Sequence, residues 1–204
     1  MSHAKIAHIT THRARRECDL LSPREYEDIS GVSLEMGFEE VHLLRTADIV
    51  TAHWVGLKCR YGCKNYNTSW CCPPATPSLE KTHELLAEYE LSLLLVGSKQ
   101  NEHFYRRNHS VRRIQMREWK STVALERKLF LDGYYKAFGL PGEACALCEK
   151  CSYPDNCLFP NEKRPSLEAC SIDIFKTVKN MGKEIHLAQE NTETYKTYSL
   201  ILLK

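Results

Sequence analysis

The sequence predicts an α/β or α+β fold: a small mixed sheet packed with helices, with two cysteine-rich loops inserted between its elements. Two observations predict it. Short apolar runs that read as strands alternate with segments of helical periodicity. Nine of the ten cysteines fall in two tight groups rich in Pro, Gly, Asn and charge, in the connections where sites are usually built.

Residues 1–22 are polar and basic, with Arg13, Arg15 and Arg16, and read as a loosely held N-terminal arm. Residues 23–204 read as a single metal-binding domain with cysteine loops at 58–74 and 145–170. A helix is expected from Pro23 to Met36, because Ser22 can cap it, Pro23 suits its first position and Gly37 can end it. Phe38 to Leu44 reads as a strand, and Ala47 to Gly56 as a short helix leading into the first cysteine group. Thr76 and Pro77 are the expected start of the next helix, with Leu79, Leu86 and Tyr89 at helical spacing. Leu91 to Val96 follows as a buried strand closed by Gly97, and Ser98 to Arg107 as a polar loop.

The longest periodic segment runs from Ser110 to Phe138. Met116, Trp119, Val123, Phe130, Tyr134 and Phe138 form its apolar stripe, interrupted around Glu126 and Arg127, and core packing is the reading of these aromatics. Gly139, Pro141 and Gly142 stop it. Ser171 or Asp173 can start a last helix to Asn180, and Glu184–Ala188 and Tyr198–Leu203 read as two terminal strands.

Composition narrows the class. The chain has 204 residues, 43% hydrophobic and 26% charged, which is a folded globular composition. A net charge of +2 argues against wholesale nucleic-acid binding. No apolar run approaches the roughly 18–20 residues of a membrane span. The N-terminus, Met1-Ser2-His3-Ala4-Lys5, lacks the apolar stretch of a signal peptide, so a cytoplasmic location is expected. Thiols are kept reduced there, and ten cysteines then call for an explanation other than disulfides. Cys18 stands alone and reads as a buried free thiol.

The first group is Cys59, Cys63, Cys71 and Cys72, with the spacing C-x3-C-x7-C-C-P-P. Gly62 permits a tight turn, and Pro73 and Pro74 stiffen the exit. The side chains of adjacent extended residues point apart. Cys71 and Cys72 therefore reach different irons of a larger cluster, or one binds while the other stays a free thiol. His53 and His83 flank the group and read as ordinary helix histidines.

The second group is Cys145, Cys148, Cys151, Cys157 and Cys170, with the spacing C-x2-C-x2-C-x5-C-x12-C. Three cysteines in consecutive x2 steps wrap a loop around one cubane. The bacterial ferredoxin run is C-x2-C-x2-C-x3-C-P, and this chain departs from it in the fourth spacing and in the place of its proline, Pro160. The fourth ligand is Cys157, which is nearer in sequence, or Cys170, just before the last expected helix. Zinc is the competing metal, but its sites usually pair two C-x2-C knuckles, and no H-x3-5-H pair follows here.

With both groups in view, the chain resembles an uncharacterised family of prokaryotic proteins predicted to bind metal. The resemblance rests on Lys58-Cys59-x3-Cys63, on Trp70-Cys71-Cys72-Pro73-Pro74, on Cys145-x2-Cys148-x2-Cys151, and on Arg164-Pro165-Ser166-Leu167-Glu168-Ala169-Cys170. It covers residues 35–203, leaves the N-terminal arm outside, and implies metal binding, an intracellular location and an anaerobic lifestyle, but no reaction.

Two further features carry expectations. Arg106, His109, Arg113, Arg117 and Lys120 lie at helical spacing beside Arg107 and Arg112. They form a solvated face or a docking patch for an acidic redox partner, a nucleotide or RNA, and the lack of interleaved aromatics weakens the RNA version. Arg164 and Glu168 either pair to brace the cluster loop or leave Arg164 as an anion site. The functional expectation is an iron–sulfur protein with one or two 4Fe–4S clusters and an electron-transfer role. The alternatives are an enzyme with an open-site cluster at residues 59–72 and a zinc-stabilised binding module.

Overall fold

The computed structural model describes residues 20–100, 109–190 and 193–204. The expected N-terminal arm up to residue 19, with Cys18, lies outside them, as does most of the polar stretch Ser98–Arg107. Leu21 is buried in the core.

Among the described residues the fold is α+β, five helices around one four-stranded sheet. Helix α1 spans Pro23–Glu35. Ser22 caps it in a full capping box, its hydroxyl accepting from the Glu25 amide while Glu25 accepts from the Ser22 amide. Strand β1 (Glu40–Arg45) leads into a 3-10 turn at Thr46–Asp48, and α2 spans His53–Gly62. The expected helix over 47–56 is thus displaced toward the C-terminus, and Cys59 becomes a helical residue. Gly62 closes that helix without a positive φ, so the tight turn expected of it is not what it supplies.

Helix α3 (Leu79–Leu86) is capped by the Ser78 side chain, not by Thr76. Thr76 instead donates to the Ala169 carbonyl. Strand β2 runs from Leu91 to Gln100, straight through the expected stop at Gly97. A Cβ at Gly97 would sit 2.8 Å from the Thr197 hydroxyl and 3.0 Å from a Glu118 oxygen, so this glycine admits a carboxylate against the strand. Helix α4 spans His109–Leu131, β3 Phe138–Leu140, α5 Ile174–Asn180 and β4 Thr194–Leu202. Asp173 caps α5. Gly139 lies within β3, after α4 has already ended, and residues 184–188 form no strand.

The sheet order is β1-β2-β4-β3, and every pairing is antiparallel. This corrects the mixed sheet expected from sequence, because no helical crossover returns a strand parallel to its neighbour. Helices cover both faces. Leu91, Leu93, Leu95 and Ile201 pack with Ile29 of α1 and with Leu125 and Leu129 of α4. Leu94, Val96, Leu200 and Leu202 pack with Leu86 of α3 and with Ile174 and Val178 of α5. Two-sided burial explains why Leu93-Leu94-Leu95 is a continuous apolar run and not an alternating one. Each of those leucines contributes about 1.5–3 kcal/mol of transfer free energy.

The expected α4 stripe is only half right. Trp119 and Val123 are buried, but Phe130 is exposed, and Leu125 and Leu129 make the sheet contact.

Candidate metal centre

The sheet and α4 fix two cysteine-bearing segments against each other. Cys59 lies in α2, and Cys63 caps its C-terminus one turn later, on the same helix face. The chain then turns through residues 64–78, where the Asn67 amide donates to the Pro73 carbonyl at 2.8 Å. The Ser69 hydroxyl accepts from the Cys71 amide at 3.2 Å, so the backbone entering the Cys71–Cys72 pair is held. Both cysteines of the pair are buried. The Pro73–Pro74 and Tyr153–Pro154 peptides, one in each cysteine segment, are cis.

The second segment enters through Gly142, where a Cβ would fall 2.1 Å from the Tyr198 carbonyl oxygen, so no larger residue fits. Helix α4 clamps the loop beyond this glycine. Arg112 Nε donates to the Ala146 carbonyl and Nη2 to the Leu147 carbonyl, both at 3.1 Å, and Gln115 Nε2 donates to the Ala144 carbonyl at 2.5 Å. Trp119 Nε1 donates to the Glu162 carbonyl at 2.9 Å. The Trp119 ring packs with Val123, Leu147 and Cys71, with Cys145 against them. Arg112 therefore works on the cysteine loop, while Arg113 and Arg117 are exposed and Arg106 lies outside the described residues.

The adjacent cysteines differ in their neighbourhoods. Cys71 lines a cavity of about 660 Å³ together with Cys145, Cys148, Cys151 and Cys157. Cys72 does not line it, and has Cys63, Cys59 and also Cys145 among its electrostatic neighbours. Trp70, Tyr153 and Phe159 complete the larger cavity's rim. Trp70 and Tyr153 stack edge-on with centroids 5.0 Å apart, and Trp70 Nε1 donates to the Asp155 carbonyl at 2.7 Å.

Cys170 joins neither neighbourhood. It is fully buried in the core beside Leu86, Leu167 and Ile172, away from the lining of the five-cysteine cavity. Of the two contenders for fourth ligand, Cys157 is the one that shares a cavity with Cys145, Cys148 and Cys151. Neither His53 nor His83 lines a cysteine cavity, and His83 shares a hydrogen bond with the Thr51 hydroxyl.

The thiols differ in acidity for identifiable reasons. Cys71 is pushed well above the usual range, first because it donates a hydrogen bond to Cys145 and then because it is buried. Cys145 is lowered, chiefly by accepting that bond, with the Leu147 amide adding to it. Burial, followed by Cys63, pushes Cys72 up to about 12. Burial, followed by Cys145, raises Cys148. Burial raises Cys170 to about 12, with the Thr82 hydroxyl working against it. Neighbouring thiols that raise one another resist ionising together, so a cation arriving among them releases protons and is held the more firmly at higher pH.

Two supporting networks have no signature in the sequence. Arg164 does not pair with Glu168. It makes a two-pronged contact with Glu126, which also accepts from the buried Gly139 amide at 2.7 Å. That role accounts for the charged interruption in the α4 stripe. Glu168 accepts from the Glu143 amide through both oxygens, at 3.1 and 3.3 Å. Lys99, with its side chain 2% exposed, bridges Glu118 at 2.8 Å and Glu143 at 2.7 Å. Tyr195 donates to Glu143 at 3.2 Å. Nothing local in the sequence marks these partners, because they come together only through sheet pairing.

Among the described residues no three His, Cys, Asp or Glu side chains are grouped so as to hold one ion. Five thiols stand around the wall of one cavity. No helix among the described residues is long and apolar enough to cross a membrane.

A family model described as a predicted metal-binding protein (DUF2284) matches residues 42–203. No curated protein and no solved structure matches the chain.

Proposed function

The chain belongs to the DUF2284 family of predicted metal-binding proteins, and from that premise we propose that it is an iron–sulfur protein with an electron-transfer role. The observation that carries this reading is the convergence of Cys71, Cys145, Cys148, Cys151 and Cys157 on one cavity, from segments far apart in sequence.

In this reading Cys145, Cys148, Cys151 and Cys157 are the ligands of a 4Fe–4S cluster. Such a cluster, when bound, supplies reversible one-electron chemistry. The residues of the chain set its surroundings. Cys71 and the Leu147 amide are the groups that hold the Cys145 thiol low, so both lie where a donor to its sulfur would act. Donors to a ligand sulfur withdraw charge from it and raise the reduction potential. Trp119, Val123 and Leu147 keep water from the inner side. Arg112 and Gln115 fix the loop before any metal arrives, which lowers the ordering cost of binding. Cys148, Cys151 and Cys157 are half-buried, so the outer side of the cavity lies near solvent and within reach of a redox partner. The exposed Arg113 and Arg117 on α4 offer that partner, if acidic, a docking face.

The test is anaerobic purification and reconstitution, followed by iron, sulfide and zinc analysis and electron paramagnetic resonance (EPR) of the reduced protein. Iron and sulfide in equal amounts, with one cluster signal lost in Cys148→Ala and Cys151→Ala, is the expected result. Stoichiometric zinc with no iron after reconstitution sinks the reading.

A further inference from the structure

A second cavity, about 480 Å³ in volume, lies apart from the five-cysteine one and shares no lining residue with it. Its size is within the roughly 300–1,000 Å³ typical of small-molecule pockets. Helices α2 and α5, residues 185–188 and the first half of β4 form its walls. Trp54, Phe175 and Leu187 are large apolar residues exposed to solvent, and all three border this cavity. Single apolar residues on a surface are ordinary, whereas several gathered at one concavity mark a binding surface. Tyr195 and Tyr198 add two more aromatic rings to the wall.

Three carboxylates interrupt the apolar lining, and they are not equally compensated. Glu143 is paired with Lys99 at 2.7 Å. Glu168 accepts from the Glu143 amide, and Asp173 from Trp54 Nε1 and the Lys176 amide, so both are held by neutral donors and neither has an ion pair among the described residues. A carboxylate shielded from water without a counter-charge is costly, and a cationic ligand offsets that cost. The basic groups of the lining are placed elsewhere. Lys196 is engaged by Glu39 and Glu40, and His186 by Glu193. Lys58 carries its ammonium 5.0 Å from the Trp54 ring centroid, which shows that the face of this ring can seat a cation.

We propose that this cavity binds a small organic amine with an apolar body, its ammonium paired with Glu168 and its body seated among Trp54, Phe175, Tyr195 and Tyr198. The aromatic faces favour a cation as well as an apolar group, and Asp173 adds negative potential beside Glu168. The site needs no metal, so it stands or fails apart from the electron-transfer cluster.

The experiment is calorimetric titration of the full-length protein with three probes of one shape, 3-phenylpropylamine, 3-phenylpropanol and 3-phenylpropionate. The amine is expected to bind at least about 10-fold more tightly than the alcohol, in line with a charged hydrogen bond, and the carboxylate more weakly than either. Glu168→Gln keeps an oxygen to accept from the Glu143 amide and loses only the charge. It is expected to bring the amine down to the affinity of the alcohol and to leave the alcohol unchanged. Phe175→Ala, at an exposed position, weakens amine and alcohol alike. Lys58→Ala leaves amine affinity at or above wild type. Cys148→Ala/Cys151→Ala protein binds the amine as wild type does, whatever becomes of its iron. The proposal is overturned if wild-type protein binds no amine at millimolar concentration, if it binds the amine no better than the alcohol, or if Glu168→Gln keeps the full preference. Tighter binding of the carboxylate, lost in Lys58→Ala, overturns it in favour of an anion site. The wild-type comparison decides even where a variant folds poorly.

Discussion

Arg164 grips Glu126 with two edges of its guanidinium, Nε donating to Oε2 at 2.7 Å and Nη2 to Oε1 at 2.5 Å. The contact ties the segment between Cys157 and Cys170 to the C-terminal part of α4. Both side chains are largely shielded, at 15% and 11% exposure. Breaking such a pair leaves a carboxylate poorly solvated, at a cost of about 3–5 kcal/mol where burial is complete and correspondingly less here. Arg164→Ala is expected to lower unfolding stability by about 2–3 kcal/mol in urea titrations. Arg164→Lys recovers little, because an ammonium cannot make the two-pronged contact.

Arg112 and Gln115 test whether the second loop is fixed before metal arrives. Their three hydrogen bonds go to the carbonyls of Ala144, Ala146 and Leu147, and none goes to a cysteine. Arg112→Ala should therefore leave every thiol in place and still weaken metal affinity by about 10- to 100-fold, the usual effect of losing an orienting partner. Competition with a chelator, read by the visible absorbance of the reconstituted protein, measures it. Arg113→Ala, on the exposed neighbour, should leave affinity unchanged.

Cys170 separates packing from ligation. It is 0% exposed and surrounded by Leu86, Leu167 and Ile172. Cys170→Ala is expected to cost about 1–2 kcal/mol of stability, as a small cavity does. Its iron and sulfide content should match wild type. A fall in iron to the level of Cys148→Ala would make Cys170 a ligand and Cys157 the bystander.

These residues also mark what the sequence can and cannot disclose. The triple Cys145, Cys148 and Cys151 is a local pattern, and its spacing alone puts three thiols on one loop. The buried strand at Leu91–Val96 is equally plain, because two-sided burial writes a continuous apolar run. That Cys71 lines the five-cysteine cavity and Cys72 does not is legible only in part. Adjacent side chains diverge, but which way each points depends on the turn that Ser69 and Asn67 set. Arg164 reads as a brace from sequence, but with Glu168 four residues away as its nearest candidate, whereas its partner lies on α4 at Glu126. The Lys99, Glu118 and Glu143 network leaves no trace, since strand register and helix packing bring together groups that no local spacing relates.

That network predicts a pH dependence. Burial raises the Glu118 carboxyl above its ordinary value of 4.5, and Lys99 offsets the effect only in part, with Glu143 adding to it and Thr197 opposing it. An acid raised in the folded state holds its proton there while the unfolded chain has already lost it. Folded protein then binds more protons than unfolded protein, so stability falls as pH rises from about 4.5 through the raised folded value. Glu118→Gln removes this titration. Its amide oxygen can still accept from the Thr197 hydroxyl, and Lys99 keeps Glu143 as its counterion. Relative to wild type, the variant should gain stability as pH rises above 4.5, and the two should converge below pH 4.5. Urea midpoints measured across that range on metal-free protein read the difference directly. A variant that loses stability relative to wild type as pH rises would show that the Lys99 ion pair, and not burial, governs Glu118.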